Sequence, residues 1–136
     1  MIIDTSALVA ILLGEPGAEQ LRAALHAGGP RIPAPVVVEL HKVLPPHRNP
    51  PRRSATAFIE LLVAGGASIV PLSAEAARLA AAAIPRFGTG NGVGGTLNLT
   101  DLMVYGTAMA LAAPILCTGR DFAATDAAIH PASRLA

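Results

Sequence analysis

At 136 residues the chain is long enough for one ordinary domain with a real core, and with 52% hydrophobic, 14% charged and 3% aromatic residues that core is built of Ala, Val, Ile and Leu. A net charge of +1 excludes a protein that coats nucleic acid through bulk charge, so any RNA or DNA contact has to come from a local basic patch. The single cysteine, Cys117, excludes an internal disulfide framework and suits a reducing compartment.

In chain order, Met1–Asp4 reads as a short apolar strand running into a carboxylate and two hydroxyls, Thr5 and Ser6. Ala7–Leu13 and Pro16–Ala27 follow as two helical pieces broken at Gly14. An extended stretch, Arg31–Pro33, leads into a helix with Pro35 in its first turn, which stops at Pro45-Pro46. A further helix, Arg52–Ala64, ends at Gly65-Gly66. Ala67–Leu72 is a strand, and Ser73 caps a helix running to about Ile84. Phe87–Leu97 is a glycine-rich loop, after which Asn98 caps a helix over Leu99–Ala112 with Asp101 at its third position. Pro114–Thr118 is a strand, followed by a polar turn holding Asp121 and an apolar fragment near Ile129. Apolar strands alternating with helices predict a parallel sheet covered on both faces, in one domain spanning residues 1–136.

A mean hydropathy of +0.53 raises the question of a membrane. The N-terminal apolar run has no preceding Lys or Arg and is interrupted by Asp4, which argues against a signal peptide. Leu102–Gly119 is uncharged, but Pro114 splits it, and a buried helix followed by a buried strand accounts for it better than a spanning helix. The expectation is a soluble, cytoplasmic protein with no membrane segment.

The chain has only nine acidic residues, so their placement is informative. Glu15, Glu19, Glu60 and Glu75 lie in polar or helix-starting contexts and read as surface. Asp4 ends a buried strand, where losing water is costly without compensation. Glu39 lies among Val36, Val37, Val38 and Leu40, on an apolar stripe of its helix. Asp101 starts a helix that is apolar nearly all round, and Asp121 follows the Ile115-Leu116-Cys117 strand. In a parallel sheet Asp4 and Asp121 emerge at one edge, where the start of the Asp101 helix can face them. Carboxylates converging on one cleft repel, so they take a proton or bind a cation, and Mg²⁺ or Mn²⁺ suits oxygen ligands with retained waters. Each acid also has a local reading: Asp4 bonded to the Thr5 or Ser6 amide, Glu39 paired with Lys42, Asp101 as a helix-dipole charge, Asp121 as a turn residue.

Other features are less specific. Lys42, Arg48, Arg52 and Arg53, with His41 and His47, form a basic stretch stiffened by prolines at 45, 46, 50 and 51, which reads as a phosphate-tracking surface, a solvated face or a partner contact. The glycine loop lacks the pattern of a nucleotide site, the histidines lack metal spacing, Cys117 reads as core, and Ser6 lacks the Gly-x-Ser-x-Gly turn of a serine hydrolase.

The opening Met1-Ile-Ile-Asp-Thr-Ser-Ala-Leu-Val-Ala10, the Glu39 helix, Asn98-Leu-Thr-Asp101 with its apolar helix, and Gly119-Arg-Asp-Phe-Ala-Ala-Thr-Asp126 resemble the PIN-domain ribonucleases of the VapC toxin type. The resemblance covers essentially the whole chain in order. It implies a three-layer α/β/α sandwich with a central parallel sheet, and an endoribonuclease that cleaves RNA with one or two Mg²⁺ or Mn²⁺ ions. It makes Asp4, Glu39, Asp101 and Asp121 the catalytic, metal-binding acids, with Thr5 or Ser6 orienting Asp4 and Asp126 a secondary, supporting acid of the outer shell. It further implies a homodimer and a VapB-like antitoxin partner whose C-terminal segment blocks the cleft, often with an arginine. Arg120, where relatives often carry an acid, and the neutral loop over Phe87–Leu97, where they tend to be basic, depart from the family pattern. These departures leave open a PIN-fold binding module with weak or lost activity. A phosphatase with Asp4 as nucleophile is a further alternative, opposed by Ser6 in the place where such enzymes need a second Asp.

Overall fold

The computed structural model describes residues 1–44 and 52–135. Its strands are β1 (Ile2–Ile3), β2 (Arg31–Pro33), β3 (Ser68–Val70) and β4 (Ile115–Leu116). Its helices are α1 (Thr5–Leu13), α2 (Ala18–Ala27), α3 (Ala34–Val43), α4 (Arg52–Ala64), α5 (Ala74–Phe87) and α6 (Leu99–Ala110), and a 3₁₀ turn covers Phe122–Ala124. The sheet is parallel throughout, in the order β3-β2-β1-β4. Ile2, Ile3, Ile115 and Leu116 are fully buried. Successive strand residues point to opposite faces, so both faces of the sheet are covered, as the three-layer α/β/α sandwich requires.

The strands are shorter than the apolar runs suggest because caps and prolines take over at their ends. Asp4 is already extended cap backbone for α1, its side chain accepting the Ser6 N–H at 2.9 Å, so that helix starts at Thr5 rather than Ala7. Pro33 ends β2 and directly caps α3, with Pro35 in the first turn as expected. Ser73 caps α5, accepting from Ala76 N–H at 3.0 Å. Three further helix boundaries differ from the sequence reading. Gly17, at φ 87°, delays α2 from Pro16 to Ala18. Ala112, at φ 47°, has left the helical region, so α6 ends at Ala110. The α5 helix passes through Pro85 to Phe87 instead of stopping at Ile84, since a proline in the last turn deletes one N–H while Gly88 N–H still bonds to Ile84 O at 2.9 Å.

The strand order places the site. From β1 the chain moves one way across the sheet, to β2 and then β3, before crossing back to β4 on the far side of β1. The order therefore reverses between β1 and β4, and ligands of open parallel sheets bind at the carboxyl ends of the strands at that reversal. Asp4 leaves β1 there, and Thr118 and Asp121 follow β4. The two strands are locked in register, Ile2 beside Ile115 and Ile3 beside Leu116, with Asp4 N–H bonded to Leu116 O at 3.0 Å.

On the other side of the core α5 and α6 pack closely at Gly106. A Cβ there would stand 2.1 Å from Ala76 O and 2.9 Å from the Ala80 Cβ. Glycine inside a helix ordinarily costs about 1 kcal/mol against alanine, so Gly106→Ala would stabilise a free helix. Here overpacking of about 1–3 kcal/mol outweighs that gain. Thermal unfolding is expected to show Gly106→Ala with a Tm several degrees below wild type; an unchanged or raised Tm would refute the close packing.

Candidate active site

One cleft of about 310 Å³ opens at the strand reversal, and Asp4, Glu39, Asp101 and Asp121 all line it, together with Thr5, Ser6, Glu15, Asn98 and Thr118. Each acid arrives on a different element. Asp4 ends β1, Glu39 stands on the second turn of α3, Asp101 sits in the first turn of α6, and Asp121 precedes the 3₁₀ turn after β4. These are the four acids singled out by sequence, brought together from positions 117 residues apart at the extremes (121 − 4).

Asp4 is 4% exposed, and its two oxygens have different surroundings. Oδ2 accepts both the Ser6 N–H at 2.9 Å and the Ser6 hydroxyl at 2.5 Å, which realises the local hydrogen-bonded reading of this residue. Oδ1 is buried and has no partner among the described residues. An unsatisfied buried carboxylate oxygen is costly, and burial pushes the Asp4 carboxyl above the usual carboxylate range, with the Ser6 bonds pulling partly back and the Glu39 charge adding to the rise. Ser6 in turn accepts the Thr118 N–H at 3.0 Å, so one hydroxyl joins β1, α1 and the end of β4.

Glu39 accepts the Thr5 hydroxyl at 2.5 Å through Oε2. Among the described residues it makes no ion pair with Lys42, so the surface-pair reading is not the arrangement found. Its apolar stripe is only partly buried, Val36 three residues before it being buried and Val43 four residues after it 46% exposed. Asp101 closes a capping box: its Oδ2 accepts Asn98 N–H and Asn98 Oδ1 accepts Asp101 N–H, both at 2.9 Å. Burial raises the Asp101 carboxyl to about 6, and the charges of Asp4, Glu39 and Asp121 push in the same direction. That mutual repulsion is the electrostatic signature of four acids sharing one space. Asp121 is exposed, and its side chain caps nothing in the turn it precedes.

The remaining candidates separate from the cleft. Asp126 does not line it; its carboxylate accepts the Tyr105 hydroxyl at 2.7 Å and Arg86 at 3.1 Å, which holds its carboxyl below the usual range. Arg120 also lies outside the lining, with Nε–H donated to Leu135 O at 2.9 Å, so its charge is spent away from the acids. Cys117 is fully buried, and burial with the nearby Asp4 charge pushes its thiol up to about 11, so it is inert core. His41 bridges α3 to α4, its ring nitrogens lying 2.7 Å from Val37 O and 2.9 Å from Thr56 Oγ1. Of the basic stretch, His47, Arg48 and the prolines at 45, 46, 50 and 51 lie outside the described residues.

Two polar lining residues, Glu15 and Thr118, are not singled out by the sequence. Glu15, assigned to the surface, reaches the cleft because Gly14 adopts φ 63° and turns the chain back, letting Glu15 N–H bond to Ala10 O at 2.9 Å. A glycine directly after a helix is the signal that could have found it. Thr118 carries no such signal; only the β1–β4 pairing places it.

A divalent cation fits this donor set. The donors are hard oxygens, one of them is buried with no partner among the described residues, and the acids repel one another without a counter-charge. Among the described residues no three His, Cys, Asp or Glu side chains are grouped so that they could hold a metal ion by themselves. Mg²⁺ and Mn²⁺ do not demand such a group, because Mg²⁺ in particular binds through one or two carboxylates and keeps several waters.

Known proteins share this fold and much of this sequence. The family model for the PIN domain matches residues 1–128. Ribonuclease VapC42 of Mycobacterium tuberculosis is 40% identical over 133 residues, covering 97% of this chain and 98% of that protein. Ribonuclease VapC36 of the same organism is 39% identical over 128 residues, covering 93% and 90%. Among solved structures, M. tuberculosis VapC20, a sarcin-ricin loop cleaving toxin, superposes with a TM-score of 0.71 at 13% identity, covering 93% of this chain and 95% of that one. VapBC2 of Rickettsia felis, bound to a promoter DNA fragment, superposes with a TM-score of 0.67 at 14% identity, covering 99% and 96%. At such identities the structural likeness establishes the fold.

The raised Asp101 carboxyl makes a stability prediction for the metal-free protein. The folded state holds this proton more tightly than the unfolded chain does. Wild type should therefore lose stability relative to Asp101→Asn as pH rises from about 4 through about 6, and the difference should then level off. Denaturant unfolding of both proteins in EDTA from pH 4 to 8 measures it, and a difference independent of pH would show that burial and the neighbouring acids do not raise the Asp101 carboxyl.

Proposed function

The chain belongs to the PIN-domain family and to its VapC ribonucleases, and from that premise we propose that it is a metal-dependent endoribonuclease, the toxin of a toxin–antitoxin pair, hydrolysing RNA phosphodiester bonds in the four-acid cleft. The observation that carries the metal site is Asp4: a cleft-lining carboxylate with one oxygen fully bonded and the other buried without a partner.

Asp4, Glu39, Asp101 and Asp121 are the groups that would hold Mg²⁺ or Mn²⁺. When bound, such a cation supplies an acidified water as nucleophile and offsets the negative charge that builds on the phosphate oxygens. The chain's own contribution is preorganisation. Ser6 fixes the Asp4 carboxylate through two donors, so that Oδ1 is presented without rearrangement. Thr5 does the same for Glu39 through Oε2 and leaves Oε1 to the cleft. The capping box fixes Asp101 and leaves its Oδ1 outside that bond pair. Burial and mutual repulsion raise the Asp4 and Asp101 carboxyls, and a bound cation would compete with protons for them.

The same reading gives the chain a VapB-like antitoxin as partner, a homodimeric state and a cytoplasmic location where its RNA is found. Among the described residues no helix is long and apolar enough to cross a membrane. The phosphatase alternative loses support, because the position two residues after Asp4 holds a hydroxyl that is bonded to Asp4 itself.

Purified protein free of antitoxin is expected to cut structured RNA with Mg²⁺ or Mn²⁺ and to be silent in EDTA. Asp4→Asn should lower cleavage on the order of a hundredfold or more while melting no lower than wild type, since the amide relieves a buried charge. Cleavage that persists in Asp4→Asn, or RNA left intact under every metal tried, would overturn the nuclease reading.

A further inference from the structure

The neutral glycine-rich loop between α5 and α6 has no cation to offer a phosphate, yet it is built to one shape. Asn91 Oδ1 accepts the N–H groups of Val93 at 2.9 Å and Gly95 at 3.0 Å, and its Nδ2 donates to Pro85 O at 3.2 Å. A Cβ on Gly95 would stand 2.1 Å from Gly88 O, so the two ends of the loop touch backbone to backbone. Leu97 is fully buried and pairs with Gly88, its N–H bonded to Phe87 O at 2.9 Å. A closed loop of this kind delivers its last residues to a fixed place. Thr96 is delivered against the turn after β4, where its hydroxyl donates to the main-chain carbonyl of Asp121 at 2.9 Å.

Asp121 is the acid that lacks other support. Asp4, Glu39 and Asp101 are each held through their carboxylates by Ser6, Thr5 and Asn98. The Asp121 side chain caps nothing, the residue is exposed, and among the described residues Thr96 is the only side chain hydrogen-bonded to it. Thr96 also stands two residues before Asn98, the cap of the Asp101 helix. One hydrogen bond therefore joins the segment that carries Asp101 to the segment that carries Asp121.

We propose that Thr96 is a positioning residue of the active site, and that the glycine-rich loop serves to set the spacing of Asp121 from Asp101 rather than to grip RNA. The inference rests on the reading above, in which Asp121 is one of the acids that hold the cation. It also accounts for the loop's lack of charge: the working groups of the loop are backbone, an amide side chain and a hydroxyl.

The test compares wild type, Thr96→Val, Thr96→Ser, Asp121→Asn and the Thr96→Val/Asp121→Asn double variant as purified full chains. Mn²⁺ affinity is measured by calorimetric titration without RNA, and kcat and KM are measured separately on one RNA. Thr96→Val is expected to weaken Mn²⁺ binding and lower kcat about threefold to tenfold, the range a single net hydrogen bond corresponds to, with KM unchanged. Thr96→Ser should restore both, and the double variant should bind Mn²⁺ no more weakly than Asp121→Asn alone. Thr96→Ala is read in the same way if valine disturbs the loop. Wild-type Mn²⁺ affinity and kcat in Thr96→Val, beside a weakened Asp121→Asn, would overturn the positioning role alone. A raised KM at unchanged kcat would overturn it in favour of an RNA contact. Wild-type Mn²⁺ affinity in Asp121→Asn would instead remove Asp121 from the cation site, and the positioning role with it.

Discussion

A carboxylate ending a fully buried strand is the constraint around which this structure is arranged. Asp4 cannot be rescued by solvent, so its neighbours supply what water would. The Ser6 amide and hydroxyl satisfy one oxygen, and Leu116 O takes the backbone N–H. Those same bonds start α1 and lock β1 to β4, with the Thr118 N–H closing the group on the Ser6 hydroxyl. Scaffold and site therefore share atoms. Removing Ser6 would loosen a helix start and a strand pair as well as the acid they hold, which is the physical reason the second oxygen can be kept in place with nothing bonded to it.

Charge distribution carries the second cost. Nine acidic residues serve the whole chain, and four of them, with Glu15 at the mouth, line one cleft. Asp4 and Asp101 sit at helix starts, where the aligned backbone dipoles favour negative charge, but burial and mutual repulsion prevail and both bind protons more readily than ordinary carboxylates. The metal-free fold is thus kept below the stability it could reach, as functional sites commonly are. The closely packed α5–α6 pair presents Tyr105 and Arg86 to Asp126, which ties down the segment following Asp121. Asp126 is thereby engaged outside the cleft lining, through Tyr105 and Arg86.

Much of this was readable in the chain because it is local. The Asn98–Asp101 capping box, the Ser73 cap, Pro35 in the first turn of α3 and the apolar strands each depend on residues a few positions apart. The order of strands and helices, the four unusual acids and the family resemblance depend on composition and order along the chain, and the match over residues 1–128 bears out the family. The boundaries that shifted did so where backbone angles decided them, at Gly17 and Ala112, or where a helix tolerated a proline in its final turn.

Tertiary structure decided whatever joins distant segments. The sequence by itself determined that Asp4 ends an apolar strand and needs compensation for lost water, because the run that buries the strand leads straight into the carboxylate. It could not determine which oxygen would be satisfied, that Thr5 and not Lys42 would engage Glu39, that Arg120 would turn toward Leu135, or that Thr96 would reach Asp121. Those outcomes depend on the strand order β3-β2-β1-β4, which places β4 beside β1 after an excursion across the sheet. A long-range hydrogen bond has no signature in local propensity; it exists only once the sheet has brought its two ends within about 3 Å.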